Sequence, residues 1–173
     1  MRKSQLSFIL MYMPRHQAVH GHHVKQRQFG NECFGCGPDN KTGLRLRFVY
    51  DAEQARFVCR FRLDRRFTGP PGHSHGGIIA TILDEAMGKV SRLHEIVALT
   101  STMTVEYLKP VPLFEPLVVE GWEGRVRGRE HIRLAEIRNG GGEVLARSRG
   151  KFIEIDPRRM FAKYLKKKHS DAT

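Results

Sequence analysis

Between His75 and Gly88 the chain reads HGGIIATILDEAMG, and the acid at Asp84 is the residue best placed for chemistry. Wound at about 3.6 residues per turn, Ile79, Ile82, Leu83, Ala86, Met87 and Val90 form a broad apolar stripe. Gly77, Thr81, Asp84 and Gly88 fall on another face, which has little side-chain volume and one carboxylate. Two glycines inside a helix cost about 1 kcal/mol each relative to alanine, so the bare backbone needs a reason. That reason is either close approach of a ligand or second chain, or tight packing on a sheet with Asp84 in solvent. The free N–H groups and positive dipole end of the helix lie at Gly76 and Gly77, where no side chain obstructs a carbonyl oxygen. A carboxylate that activates a nucleophile and N–H donors for a developing oxyanion are the parts that hydrolysis at a carbonyl needs.

The surrounding pattern must hold this helix. From Gly43 to Tyr50, Leu44, Leu46, Phe48 and Tyr50 alternate with Arg45 and Arg47; from Ala55 to Leu63, Phe57, Cys59, Phe61 and Leu63 alternate with Arg56, Arg60 and Arg62. Period two with one apolar face predicts strands of a sheet packed on one side, joined by a hairpin turn at Asp51 to Gln54. Phe67 to Ser74 is a Gly/Pro loop, with Ser74 the expected helix cap. After the helix, Ile96 to Lys109 predicts a long strand with Met103, Val105 and Tyr107 on one face and Thr100, Thr102, Thr104 and Glu106 on the other. Leu117 to Arg127, His131 to Arg138 and Glu143 to Ile155 complete a meander, turned at Arg127-Gly128-Arg129 and at Asn139 to Gly142. The plan is α+β: an antiparallel sheet wrapped around one long central helix.

The run HGG-x-x-A-x-x-x-D-E-A-M-G, followed by T-V-E-Y-L-K-P-V-P, resembles the hotdog-fold acyl-CoA thioesterases of the PaaI-like type. Cys33-Phe34-Gly35-Cys36-Gly37 with Asn40 and Gly43-Leu44 is similar to the segment that opens many members of that group. The resemblance covers Cys33 to Ile155 and implies hydrolysis of an acyl-CoA thioester. It implies that the Gly76 N–H, beside Gly77, polarises the thioester carbonyl, that His75 shapes that corner, and that Asp84 acts as general base or nucleophile. Thr100 matches a hydroxyl that orients the water or the acid. Where some relatives have Asn or Gln before the histidine, this chain has Gly69-Pro70-Pro71-Gly72, which leaves His73 or Ser74 as substitutes. Glu85 points about 100° away from Asp84 and reads as a surface or interface charge. The alternative is a non-catalytic hotdog that binds acyl-CoA as a sensor or scaffold, which has no need of Asp84.

With 173 residues the chain has the length of one domain: an irregular extension over 1–30, the hotdog domain over 31–157 and a basic tail over 158–173. The tail either frays or forms a short amphipathic helix through Met160, Phe161, Tyr164 and Leu165. No apolar run suits a membrane span, and the apolar start from Leu6 to Met13 lacks a small-residue cleavage site, so no membrane partner or secretion is expected. Met11 or Met13 as the true start is an equal alternative. Three cysteines are too few for a disulfide framework and suggest a reducing cytoplasm. Cys33 and Cys36 resemble half a zinc knuckle, but no second pair completes it, and the βαβ context of a redox pair is missing; two buried thiols in a tight turn are expected, without a metal. His16, His20, His22 and His23 read as surface dressing. The net charge of +12 suits a polyanionic partner such as the phosphates of coenzyme A. No nucleic-acid motif accompanies it, since the aromatics fall on apolar strand faces rather than among the arginines. No Gly-x-Ser-x-Gly, Walker or Rossmann pattern occurs, so the only expected cofactor is coenzyme A as part of the substrate.

Gly76 and Asp84 are eight residues apart, which places them about 12 Å apart along one helix. A donor and a base that serve the same carbonyl each act within about 3 Å of the atom they engage. The expectation is an obligate homodimer, or a dimer of dimers (a homotetramer), whose sites combine His75 and Gly76 of one subunit with Asp84 of the other.

Overall fold

The computed structural model describes residues 31–162. The histidines before Gly30, the apolar start and the end of the basic tail lie outside them. Six strands form one antiparallel sheet in the order β1-β2-β4-β5-β6-β3. They are β1 (Val49–Asp51), β2 (Arg56–Phe61), β3 (Ala98–Tyr107), β4 (Leu117–Arg127), β5 (Glu130–Asn139) and β6 (Val144–Glu154). The helix α1 (Gly76–Lys89) lies against β4, β5, β6 and β3, as in a hotdog fold. No helix among the described residues is long and apolar enough to cross a membrane.

The period-3.6 stripe is the buried one. Ile82, Leu83, Ala86, Met87 and Val90 have no exposed surface, and Ile79 is nearly as deep. Burial of side chains this size stabilises the fold by about 1.5–3 kcal/mol each. Two sheet glycines let the helix seat closely. A Cβ on Gly121 would lie 2.4 Å from the Ala86 carbonyl oxygen, and one on Gly150 would meet Met87 Sδ at 3.1 Å. At the far end of the helix, the fully buried Arg133 donates to the Met87 carbonyl at 3.3 Å and to Ser91 Oγ at 2.7 Å. A cation there meets the negative end of the helix dipole.

Three local expectations need correction. The first strand is only Val49–Asp51, because Leu44 and Leu46 donate instead to the carbonyls of Phe34 and Gly35, and Arg45 between them has a φ of 50°. A left-handed residue interrupts a strand. Second, the helix cap is His75, not Ser74. The Ser74 N–H donates to the Val111 carbonyl and its side chain is buried, so the capping position falls to the next residue.

The third correction concerns β3. Thr100 pairs with Phe152 but Thr102 pairs with Lys151, so Ser101 is an extra residue. This bulge resets the alternation. Thr100 therefore faces the helix with Met103, Val105 and Tyr107, rather than away from it with Thr102 and Thr104. The turns follow expectation: Gly128 has a φ of 57° and Gly142 one of 83°, and Asn139 Oδ1 accepts from the N–H groups of Gly141 and Glu143. After the sheet, Pro157–Met160 forms one helical turn capped by Asp156.

Candidate active site

His75 is extended, with ψ at 139°, and its Nδ1 accepts from the Gly77 N–H at 3.0 Å. An imidazole nitrogen thus satisfies one of the helix's free donors. The Gly77 N–H is therefore held by the cap, and the Gly76 N–H is the donor left at the mouth of the helix. The carbonyl of Gly76 accepts from the Tyr107 hydroxyl at 3.1 Å, and the Tyr107 ring would be in ordinary contact, at 3.6 Å, with a Cβ placed on Gly76. Tyr107 is a site-positioning residue not identified from the sequence; its only signal is its place in the Tyr-Leu-Lys-Pro run.

Two turns along, Thr100 Oγ1 donates to Asp84 Oδ1 at 2.7 Å. Burial pushes the Asp84 carboxyl above its ordinary value of 3.8; the Thr100 hydrogen bond opposes this, and the neighbouring Glu85 charge adds to it. The small-residue face stays uncovered in the single chain: Thr81, Asp84 and Gly88 are half-buried, and a Cβ on Gly88 would meet nothing within 4 Å. The structure thus brings Thr100 to Asp84 and groups His75, Gly76 and Gly77 at the helix start. It does not bring the two groups together along the helix.

His73 Nδ1 lies 2.9 Å from the Pro71 carbonyl, and Ser74 is buried. Glu85 is not a surface charge, because it ion-pairs with the buried Lys89 at 2.5 Å and lies 3.8 Å from Cys33 Sγ. A Cβ on Gly35 would come within 2.4 Å of the Glu85 carboxylate and push it aside. Among the described residues, two clusters have donor atoms within 4.8 Å of one another: Cys33, Cys36 and Glu85, and His94, Glu123 and His131. In the second cluster Glu123 Oε2 lies 3.1 Å from each histidine and 3.4 Å from Arg133. An open groove of about 520 Å³ lies elsewhere, lined in part by Arg60, Arg62 and Arg138, and contains none of the five expected site residues.

Residues 71–146 match the family model of the thioesterase superfamily. The chain is 30% identical over 116 residues to an acyl-coenzyme A thioesterase, THEM4, of Rattus norvegicus, a match covering 66% of this chain and 50% of the relative. It spans about half the length of the THEM4 relatives it matches. A solved thioesterase superfamily protein superposes with a TM-score of 0.67 at 28% identity, covering 71% of this chain and 60% of that one. A thioesterase protein of Streptococcus pneumoniae TIGR4, solved with coenzyme A, superposes with a TM-score of 0.55 at 20% identity, covering 58% and 78%. That protein has also been solved with an aspartate, and separately a threonine, replaced by alanine, at positions sixteen residues apart.

Proposed function

We propose that this chain, whose residues 71–146 match the family model of the thioesterase superfamily, hydrolyses an acyl-CoA thioester to a free acid and coenzyme A. The observation that carries the reading is the Thr100–Asp84 hydrogen bond on the uncovered small-residue face of α1. The two residues are sixteen apart, the separation of the two positions replaced in the pneumococcal protein.

The Gly76 N–H receives the thioester oxygen as negative charge develops there. His75 holds the first turn in shape by capping it. Asp84, with one oxygen held by Thr100, takes a proton from water through the other. The water oxygen bonds to the acyl carbon, the carbon–sulfur bond breaks, and the proton passes from Asp84 to the departing thiolate. Burial supports the role of base, because a carboxylate with a raised pKa accepts protons more readily. Coenzyme A enters as part of the substrate, and no other cofactor takes part. The compartment this reading assumes is a reducing cytoplasm.

The site needs two chains. Gly76 and Asp84 stand about 12 Å apart along α1, too far to serve one acyl carbon. The uncovered glycine-lined face and the position of β3 at a sheet edge suit a second copy, as a dimer or a dimer of dimers.

The test is hydrolysis across a panel of aryl-, short- and long-chain acyl-CoA substrates, with Asp84→Asn as the control. Turnover that needs Asp84 supports the reading; saturable binding without turnover would favour the acyl-CoA sensor instead. A single turnover in ¹⁸O-water should label the released acid and leave the Asp84 carboxylate unlabelled. Label in Asp84 would make it the nucleophile.

A further inference from the structure

Cys59 is a core thiol, but Cys33 and Cys36 are half-exposed and set in a charged recess. The turn that carries them is tight: Gly37 donates to the Cys33 carbonyl at 2.8 Å, and a Gly37 Cβ would lie 2.4 Å from the Cys33 nitrogen. Asn40 fastens the turn, with its amide on the Glu32 carbonyl and its oxygen on the N–H groups of Thr42 and Gly43. The two sulfurs are thus held within 4.8 Å of each other. Lys89 Nζ, almost wholly buried, lies 2.8 Å from Cys36 Sγ.

We propose that Cys33 and Cys36 form a redox-active dithiol that closes to a disulfide by exchange with a small-molecule disulfide. The proposal does not depend on the hydrolytic reading. Cys33 is the attacking sulfur. A hydrogen bond from Cys36 lowers it to about 6, with burial and the Glu85 charge opposing and the N–H groups of Cys36 and Gly35 assisting. Cys36 holds the shared proton and is pushed well up, first by that hydrogen bond and then by burial. N–H donors flank the Cys33 sulfur, as at cysteines that react near neutral pH, and the Lys89 ammonium lies against Cys36.

The Cys33 thiolate attacks one sulfur of the external disulfide and releases the other half as a thiolate. Cys36 then loses its proton to solvent and attacks Cys33 Sγ, expelling the second half. Two electrons leave the cysteine pair, and the external disulfide becomes two thiols. A divalent metal fits this recess less well, because the Lys89 ammonium already contacts Cys36 and Glu85, and among the described residues the cluster offers three ligands.

The experiment uses the full chain, reduced and then freed of reductant. Iodoacetamide labelling followed peptide by peptide should show Cys33 reacting at least about tenfold faster than Cys59 at pH 7. Oxidised glutathione should remove two hydrogens from the intact mass, reversibly with dithiothreitol. Cys36→Ser should instead trap one glutathione on Cys33, whereas Cys33→Ser should trap none on Cys36. Equal labelling of Cys33 and Cys59 in the wild-type chain would overturn the proposal without any variant needing to fold. So would failure of the wild type to close its disulfide, or one zinc per chain that is released when Cys33 and Cys36 are alkylated.

Discussion

Thr100 and Asp84 meet across the gap between an edge strand and the central helix, hydroxyl to carboxylate at 2.7 Å. The strand supplies the donor and the helix supplies the acid, so neither element alone defines the pair. Because the hydrogen bond favours the charged carboxylate, it opposes the burial that pushes Asp84 up.

Asp84→Asn is expected to fold and to lose at least about 100-fold in kcat, as removal of an effective base does. Glu85→Gln should leave kcat within a few-fold but lower stability by about 3 kcal/mol, since it breaks a buried ion pair with Lys89. Steady-state kinetics and urea denaturation separate the two effects. Equal loss of kcat in both variants would remove Asp84 from its role.

The pH dependence of Asp84 has a definite sign. Its folded pKa is raised above 3.8, so the stability tied to its neutral form is complete below the unfolded value and is lost as pH rises through the folded one. At pH 7 the folded chain therefore carries an unfavourable buried charge. Asp84→Asn should raise Tm at pH 7 and do so less at pH 3, while wild-type kcat/KM should rise with pH across a limb above 3.8. An equal change in Tm at both values would count against this assignment.

Thr100→Val should lower kcat by about tenfold or more with little change in KM, if the hydroxyl orients the base. Its loss also removes the interaction that lowers the Asp84 pKa, so the acid limb should shift to higher pH. Thr100→Ser should recover both. A drop in kcat with no shift of the limb would mean that Thr100 acts only through packing.

Unfolding and co-refolding Asp84→Asn chains with His75→Ala chains tests the shared site. Random assortment makes about half the dimers mixed, each with one intact site, so activity should return to about a quarter of wild type. His75→Ala also removes the helix cap, at about 1 kcal/mol, so each variant is checked by circular dichroism first. No recovery, with mixed dimers demonstrated by mass, would place the site within one chain.

The helix was legible because its stripe repeats over four turns, and every predicted stripe residue is buried. The long strands were legible to within a few residues because they alternate cleanly. Other features depend on contacts distant in sequence. Nothing near Thr100 announces that Ser101 is extra; the bulge exists only relative to β6. Ser74 has the better capping chemistry, but its backbone bond to Val111 moves the helix start by one residue. Glu85 looked like a solvated charge because Cys33 and Gly35, its neighbours in space, lie some fifty positions earlier. The five proposed site residues were read from the motif, and the structure adds Tyr107 as the grip on Gly76.

The bulge at Ser101 makes β3 a strand with two phases. Met103, Val105 and Tyr107 keep one count of residues, and Thr100 keeps the opposite one, yet all four address the helix. The arrangement is governed by parity. Removing Ser101 alone would delete the extra residue and restore unbroken alternation, with Thr100 still opposite Phe152 and its hydroxyl still on the helix side. Removing one residue between Thr102 and Tyr107 would instead turn Tyr107 to the outer face, away from the Gly76 carbonyl. Loss of one residue from this strand is therefore tolerable at the bulge but not beyond it, where it disconnects one end of the site from the other.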